Sequence, residues 1–123
     1  MMKRILVADD ASFMRQMIRD IVEPEGWEVV GEASDGFEVV DKWEELHPTV
    51  TMMDIVMPKR SGIDAVKTIV KLDPTATIVM CSALGQEALV AEALEAGACD
   101  FIVKPFKPEA VTATLAKVLE KSE

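Results

Sequence analysis

Val50-Thr-Met-Met-Asp54-Ile-Val-Met-Pro58 is the stretch that decides how the rest of this chain is read. Its first half is apolar and strand-like, it ends in a single carboxylate, and a short apolar loop and a proline follow. A charge at the end of a buried strand is costly unless it reaches solvent, a cation or a reactive ligand. What Asp54 meets there, and what else converges on it, sets the course of the reading. The segments on either side repeat the plan. Arg4 to Ala8 is an apolar run that stops at Asp9-Asp10. Thr77 to Cys81 is another, stopping at Ser82-Ala83. Phe101-Ile-Val103 is a third, stopping at Lys104-Pro105. Trp27 to Ala33 supplies one more strand, closed by the turn Ser34-Asp-Gly36.

Between these runs the apolar spacing changes to a helical period. Ser12 is expected to cap a helix with Phe13, Met14, Met17, Ile18, Ile21 and Val22 on one apolar face, stopped by Pro24-Glu-Gly26. A second helix runs to about Leu46, with Val39, Val40 and Trp43 inward and Pro48 as its breaker. Lys59-Arg-Ser-Gly62 is a polar turn. Ile63, Val66, Ile69 and Val70 mark a third helix, ended by Asp73-Pro74. Gln86 to Ala96 is a fourth, with Leu89, Val90, Ala93 and Leu94 inward and Gly97 as its stop. Pro108 opens a fifth, striped with Val111, Leu115, Val118 and Leu119. Strands that are apolar throughout and alternate with helices predict an α/β fold: a doubly wound, five-stranded parallel sheet between helical layers.

With 123 residues, half of them apolar, the chain is long enough for one buried core, and a single domain over 1–123 is expected. Acidic residues outnumber basic ones 22 to 13, a net charge of −9. That balance argues against non-specific nucleic-acid binding and against an anionic membrane surface. It suits an acidic site that takes up a cation, and basic protein partners. The apolar run before Asp9 is too short for a signal peptide, and no run is long enough to span a bilayer. Cys81 and Cys99 form no CxxC pair, so two reduced thiols in a cytoplasmic protein are expected.

In open parallel sheets ligands bind beyond the carboxyl ends of the strands. Those ends carry Asp9 and Asp10, Asp54, Ser82 and Lys104; the remaining strand brings only Ser34 and Asp35. Clustered carboxylates repel and invite a hard cation, and a few carboxylates with room for water suit Mg2+ better than Ca2+. With a lysine and a hydroxyl beside the metal, such a rim can clamp phosphoryl oxygens while an aspartate acts as nucleophile.

On these residues the chain resembles response-regulator receiver domains, and most closely the stand-alone chemotaxis, or CheY-like, type. The resemblance covers essentially the whole chain. It rests on Asp9-Asp10, Met53-Asp54-Ile-Val-Met57-Pro58, Ser82-Ala83 and Phe101-Ile-Val-Lys104-Pro105-Phe106, with the Gly62 turn and Glu95-Ala-Gly97-Ala98 in support. It implies a flavodoxin-like (βα)5 sheet in the order 2-1-3-4-5. It implies that Asp54 accepts a phosphoryl group from a sensor histidine kinase, and that Asp9, Asp10, Asp54 and the backbone carbonyl of Val56 hold Mg2+. Ser82, Ala83 and Lys104 would then bind the phosphoryl group. Ser82 and Phe101 would form the switch, and the Lys104-Pro105 bond would be cis. The chain would be a signalling switch rather than an enzyme, catalysing only its own phosphorylation and dephosphorylation. Its target, expected to be a flagellar motor switch protein, would dock on the helix after strand four, strand five and the last helix, with Glu87, Val90 and Leu94 as candidates. A monomer without a nucleic-acid or membrane partner is expected.

Two positions depart from the family. Val56 and Leu84 stand where polar or acidic side chains are frequent, and neither can orient an attacking water. Slow self-dephosphorylation and a separate phosphatase are therefore expected. Phe101 replaces the common tyrosine. Two other functions share this chemistry or fold. An aspartyl-nucleophile phosphatase of the haloacid-dehalogenase type needs Asp-x-Asp, and Asp54-Ile-Val56 lacks the second acid. A flavin binder of the flavodoxin kind wants a hydroxyl-rich loop where Asp9-Asp10 stand. A phosphate sink or another two-component pathway remains open as an alternative to motor control. Gly31 and Gly36 have the spacing of a phosphate loop, but Phe37-Glu38 follow where Lys-Ser/Thr is required. His47, a strand length from Asp54, is read as a capping or solvent-facing residue.

Overall fold

The computed structural model describes residues 3–122. In chain order the elements are β1 (Arg4–Ala8), α1 (Ser12–Val22), a 3-10 turn (Glu23–Glu25), β2 (Glu28–Ala33), α2 (Gly36–Leu46) and β3 (Val50–Asp54). They continue with α3 (Gly62–Leu72), β4 (Ile78–Ser82), α4 (Glu87–Ala96), β5 (Asp100–Val103) and α5 (Pro108–Ser122). The five strands are parallel in the order β2-β1-β3-β4-β5.

The alternation of strand side chains builds two cores from one sheet. From β1, Leu6 and Ala8 join Met53 and Met80 beneath α2, α3 and α4, packed on Trp43, Val66, Ile69 and Ala93. Ile5 and Val7 join Met52 and Cys81 on the other face, beneath α1 and α5, packed on Ile18, Val22, Val111 and Leu115. Coverage on both faces is why these strands are apolar at every position.

Several expectations are corrected. Phe13 and Met17 are 69% and 42% exposed, and the inner stripe of α1 is Met14, Ile18, Ile21 and Val22. That stripe already fills the face turned to the sheet, and residues 13 and 17 lie a further 100° around the helix. Ser12 does not cap α1. Ala11 is the cap residue, and its amide is taken by Asp9 Oδ1 at 2.9 Å. Trp27 is buried but precedes β2. On α4, Val90 and Ala93 are buried, while Leu94, expected inward, is 38% exposed. His47 ends α2 in a left-handed conformation at φ 43°, its amide on the Trp43 carbonyl and its ring edge-on to Trp43, which is the capping role expected of it. No helix among the described residues is long and apolar enough to cross a membrane.

Candidate functional site: an acidic pocket at the strand ends

Register assembles the site. Ala8 is level with Met53 and Asp54 with Cys81, while Ser82 is level with Val103. The residues one step beyond β1 and β5, Asp9 and Lys104, therefore land beside Asp54. The Lys104 amide donates to the Ser82 carbonyl at 2.7 Å, which holds the β5 end against β4. Lys104 Nζ then reaches across β4, donating to Asp9 Oδ2 at 2.7 Å and to Asp54 Oδ2 at 3.0 Å. The Lys104-Pro105 bond is cis, as the resemblance implies.

Each acid is held at its other oxygen as well. Asp9, only 2% exposed, accepts the Ala11 amide on Oδ1. Asp54 Oδ1 accepts the Val56 amide at 3.3 Å. Burial pushes the Asp54 carboxyl above its ordinary value; the Lys104 hydrogen bond and charge offset this only in part, and the nearby Asp9 adds to the rise. Lys104 is displaced in the opposite sense to its burial. Desolvation alone would lower it, but the hydrogen bonds to Asp9 and Asp54 raise it, so it stays a cation.

Asp10 is exposed at the mouth of the pocket, and Asp9, Asp10 and Asp54 each bring an oxygen within 4.8 Å of the others. Three carboxylates against the single Lys104 ammonium leave a formal deficit of two positive charges, which is the charge of a divalent cation. The donor set is all oxygen, so the residues fit a hard ion such as Mg2+.

The loop after β3 is drawn tightly onto the strand. Gly62 donates to the Ile55 carbonyl at 2.8 Å, and a Cβ at Gly62 would fall inside van der Waals contact of the Asp54 carbonyl. Gly36 has the same relation to the Arg60 carbonyl, so the loop is also seated on the start of α2. Lys59 Nζ reaches Asp35 Oδ2 at 3.7 Å, and Arg60 lies over the Phe37 ring.

The opposite wall is built differently. Ser82 is buried, but Leu84 is 79% exposed and Phe101 39%. Ser82, Leu84, Val90, Leu94, Phe101 and Val103 line an apolar cavity of about 280 Å3. The Ala83 amide, which the resemblance assigns to phosphoryl binding, donates to Gln86 Oε1 at 2.7 Å.

All the expected site residues thus fall on one rim, with Phe101 set off on the cavity wall. Two contributors escaped the sequence reading. Gln86 is legible only as the start of a helix, and Arg15, whose Nη1 donates to the Asp9 carbonyl at 2.7 Å, carries no expectation from the sequence. A glutamine three residues after Ala83 is a weak signal; for Arg15 there is no local signal.

Residues 5–116 match the family model described as the response regulator receiver domain. The chain is 56% identical over 116 residues to the chemotaxis protein CheY of Thermotoga maritima, covering 94% of this chain and 97% of the relative. It is 50% identical over 119 residues to CheY of Bacillus subtilis, covering 97% and 99%. Among solved structures, the CheX-CheY-BeF3-Mg+2 complex from Borrelia burgdorferi matches with a TM-score of 0.89 at 35% identity, over 94% of this chain and 87% of that one. The order of the strands, the acidic pocket at their ends and these likenesses agree: the chain belongs to the response regulator receiver domain family and is a two-component response regulator.

Proposed function

We propose that the chain is a chemotaxis response regulator that accepts a phosphoryl group on Asp54 from the phosphohistidine of a sensor kinase and then changes its affinity for a protein target. The observation that carries this is the Asp54 carboxylate, set 3.0 Å from the Lys104 ammonium within an acidic trio that suits a dication. An Asp54 oxygen attacks phosphorus, the phosphorus–nitrogen bond of the donor breaks, and its electron pair leaves with the imidazole, which takes up a proton. Lys104 moves from carboxylate oxygens to the incoming phosphoryl oxygens, supplying positive charge where negative charge gathers. Asp9, Asp10, Asp54 and the Val56 carbonyl would hold Mg2+, which supplies electrostatic stabilisation of the transferring group.

Ser82 and Ala83 follow as donors to the phosphoryl group. The cavity beside Ser82 gives the Phe101 ring a place to turn into, which couples the pocket to the surface of α4, β5 and α5. Glu87 and Leu94 are exposed on that surface, and a flagellar motor switch protein is the target it would serve. The chain acts in the cytoplasm as a switch, not as an enzyme with a separate substrate. Val56 and Leu84, 54% and 79% exposed, bring no polar group to the mouth of the pocket, so hydrolysis is slow and depends on a separate phosphatase. The Borrelia relative, solved with CheX, BeF3 and Mg+2, supports both phosphoryl-mimic binding and a protein partner for this chain.

Incubation with Mg2+ and acetyl phosphate should add one phosphoryl group per chain, and Asp54→Asn should add none. Continuous release of phosphate over many turnovers would instead mark a phosphatase. Replacing Val56 and Leu84 by asparagine should shorten the phosphoryl lifetime by about threefold or more, since a placed polar group can orient water. A pull-down with beryllofluoride-treated protein that ignores flagellar switch peptides would remove the motor assignment.

A further inference from the structure

We propose that Arg15 is a positioning residue for the acidic pair at the end of β1, setting the spacing of Asp9 and Asp10 that a divalent cation needs; this rests on the reading of that pair as part of a Mg2+ site. Arg15 lies on α1 with its side chain 18% exposed and spans two elements. Nη1 donates to the Asp9 carbonyl at 2.7 Å, and Nε donates to Glu32 Oε1 at 2.8 Å on β2. The neighbouring residue on β2, Ala33, accepts the Asp9 amide at 3.0 Å. Asp9 is therefore held at both its amide and its carbonyl. The carbonyl belongs to the peptide that leads into Asp10, so fixing it sets the direction of both side chains.

The anchor is itself fixed. Arg19 Nη2 binds Glu32 Oε2 at 2.7 Å and Arg19 Nη1 binds Glu23 Oε2 at 2.9 Å. The Arg19 hydrogen bond, with a smaller contribution from that of Arg15, holds the Glu32 carboxyl below its ordinary range, so it remains an anion. Without the Arg15 tie, repulsion among Asp9, Asp10 and Asp54 would push the loop outward and spread the ligands. The planar guanidinium fork can hold a carbonyl and a carboxylate together, whereas an ammonium is one point of charge on a flexible stem. Groups that orient metal ligands from behind commonly change metal affinity by about 10–100-fold when removed.

Arg19 provides an internal control, because it shares Glu32 with Arg15 but makes no bond to Asp9. Mg2+ binding is measured by titration calorimetry with no phosphodonor present, on chains shown to be folded by thermal melting. Arg15→Ala is expected to weaken Mg2+ binding about tenfold, and Arg19→Ala by less than about twofold. Arg15→Lys is expected to resemble Arg15→Ala, and it carries the same comparison if Arg15→Ala does not fold. At saturating Mg2+ the phosphorylation rate of the Arg15 variants by acetyl phosphate should return close to that of the wild type. A wild-type chain that binds no Mg2+ would overturn the metal reading itself. Wild-type binding with Arg15→Ala unchanged, Arg19→Ala equally weakened, or full recovery by lysine would overturn the role of Arg15 and leave the metal reading standing.

Discussion

The two walls of the Asp54 pocket are made of different material. The wall from β1 and β3 is tied at nearly every group: Asp9 through Ala11, Ala33, Arg15 and Lys104, and the loop after β3 through Gly62 and the start of α2. The wall from β4 and β5 has an apolar cavity behind it, an exposed Leu84 and Phe101, and at the Ala83 amide a tie to the Gln86 side chain. The phosphoryl transfer proposed for this pocket would draw on both. The first wall keeps mutually repelling carboxylates at fixed spacing before any cation arrives, which is preorganisation. In the proposed switch the second would change shape when a phosphoryl group arrives, and a cavity would let it do so without displacing packed core.

The strongest way to break this contrast is Gly62→Ala. Its methyl would collide with the Asp54 carbonyl, and backbone cannot yield as a side chain can. We expect a loss of about 2–3 kcal/mol, as for other overpacked sites, read from the urea midpoint. On the opposite wall Leu84→Ala should change stability by less than about 0.5 kcal/mol, the usual range for an exposed position. Equal effects would erase the distinction.

Lys104→Ala comes next. It strips Asp9 and Asp54 of their shared cation. In a pocket that is only partly buried the cost should be about 2 kcal/mol without Mg2+, below the range for a fully buried pair. Added Mg2+ should narrow the gap between variant and wild type, because a dication binds the folded pocket and replaces the lost charge. Thermal melts with and without Mg2+ test this, and a gap unaffected by Mg2+ would contradict it.

Smaller again is Asp54→Asn without Mg2+, which should raise Tm at pH 7. The Asp54 carboxyl is raised above its ordinary value of 3.8 by burial. A group raised on folding contributes stability that is present below its unfolded value and lost as pH rises through the folded one. At pH 7 the ionised carboxylate therefore weighs against the fold, whereas asparagine does not titrate. The Tm advantage should shrink as pH falls through the raised folded value and level off below about 3.8. An advantage that grows on acidification would reverse the sign of the burial effect.

Last is the thiol pair. Burial pushes the Cys81 thiol up to about 12, whereas Cys99 is exposed. A disulfide reagent at pH 8 should titrate one thiol rapidly in the native protein and the second only on unfolding. Fast reaction at Cys81 would mean that β4 opens far more readily than its packing implies.

Much of the fold and the pocket was legible because both follow from local pattern. The apolar runs ending at Asp9, Asp54, Ser82 and Lys104 are strands whose ends must share a rim once the sheet is parallel. The errors arose where a residue's surroundings depend on a distant element. Phe13 and Met17 have the period of an inner helical face, but α1 has room against the sheet for only one stripe. Leu94 is similar: it is spaced as an inward residue, yet it is exposed beside the cavity between α4 and β5.

By itself the sequence determined the order of strands and helices and the acidic rim at the strand ends, since hydrophobic period and strand ends are properties of adjacent residues. The tertiary structure alone decided how the rim is held. Lys104 meets Asp9 across 95 positions of chain and Asp54 across 50, and Arg15 meets Glu32 across 17. Contacts of that span come from the register of parallel strands and the angle at which α1 crosses them, and no local pattern of residues encodes either.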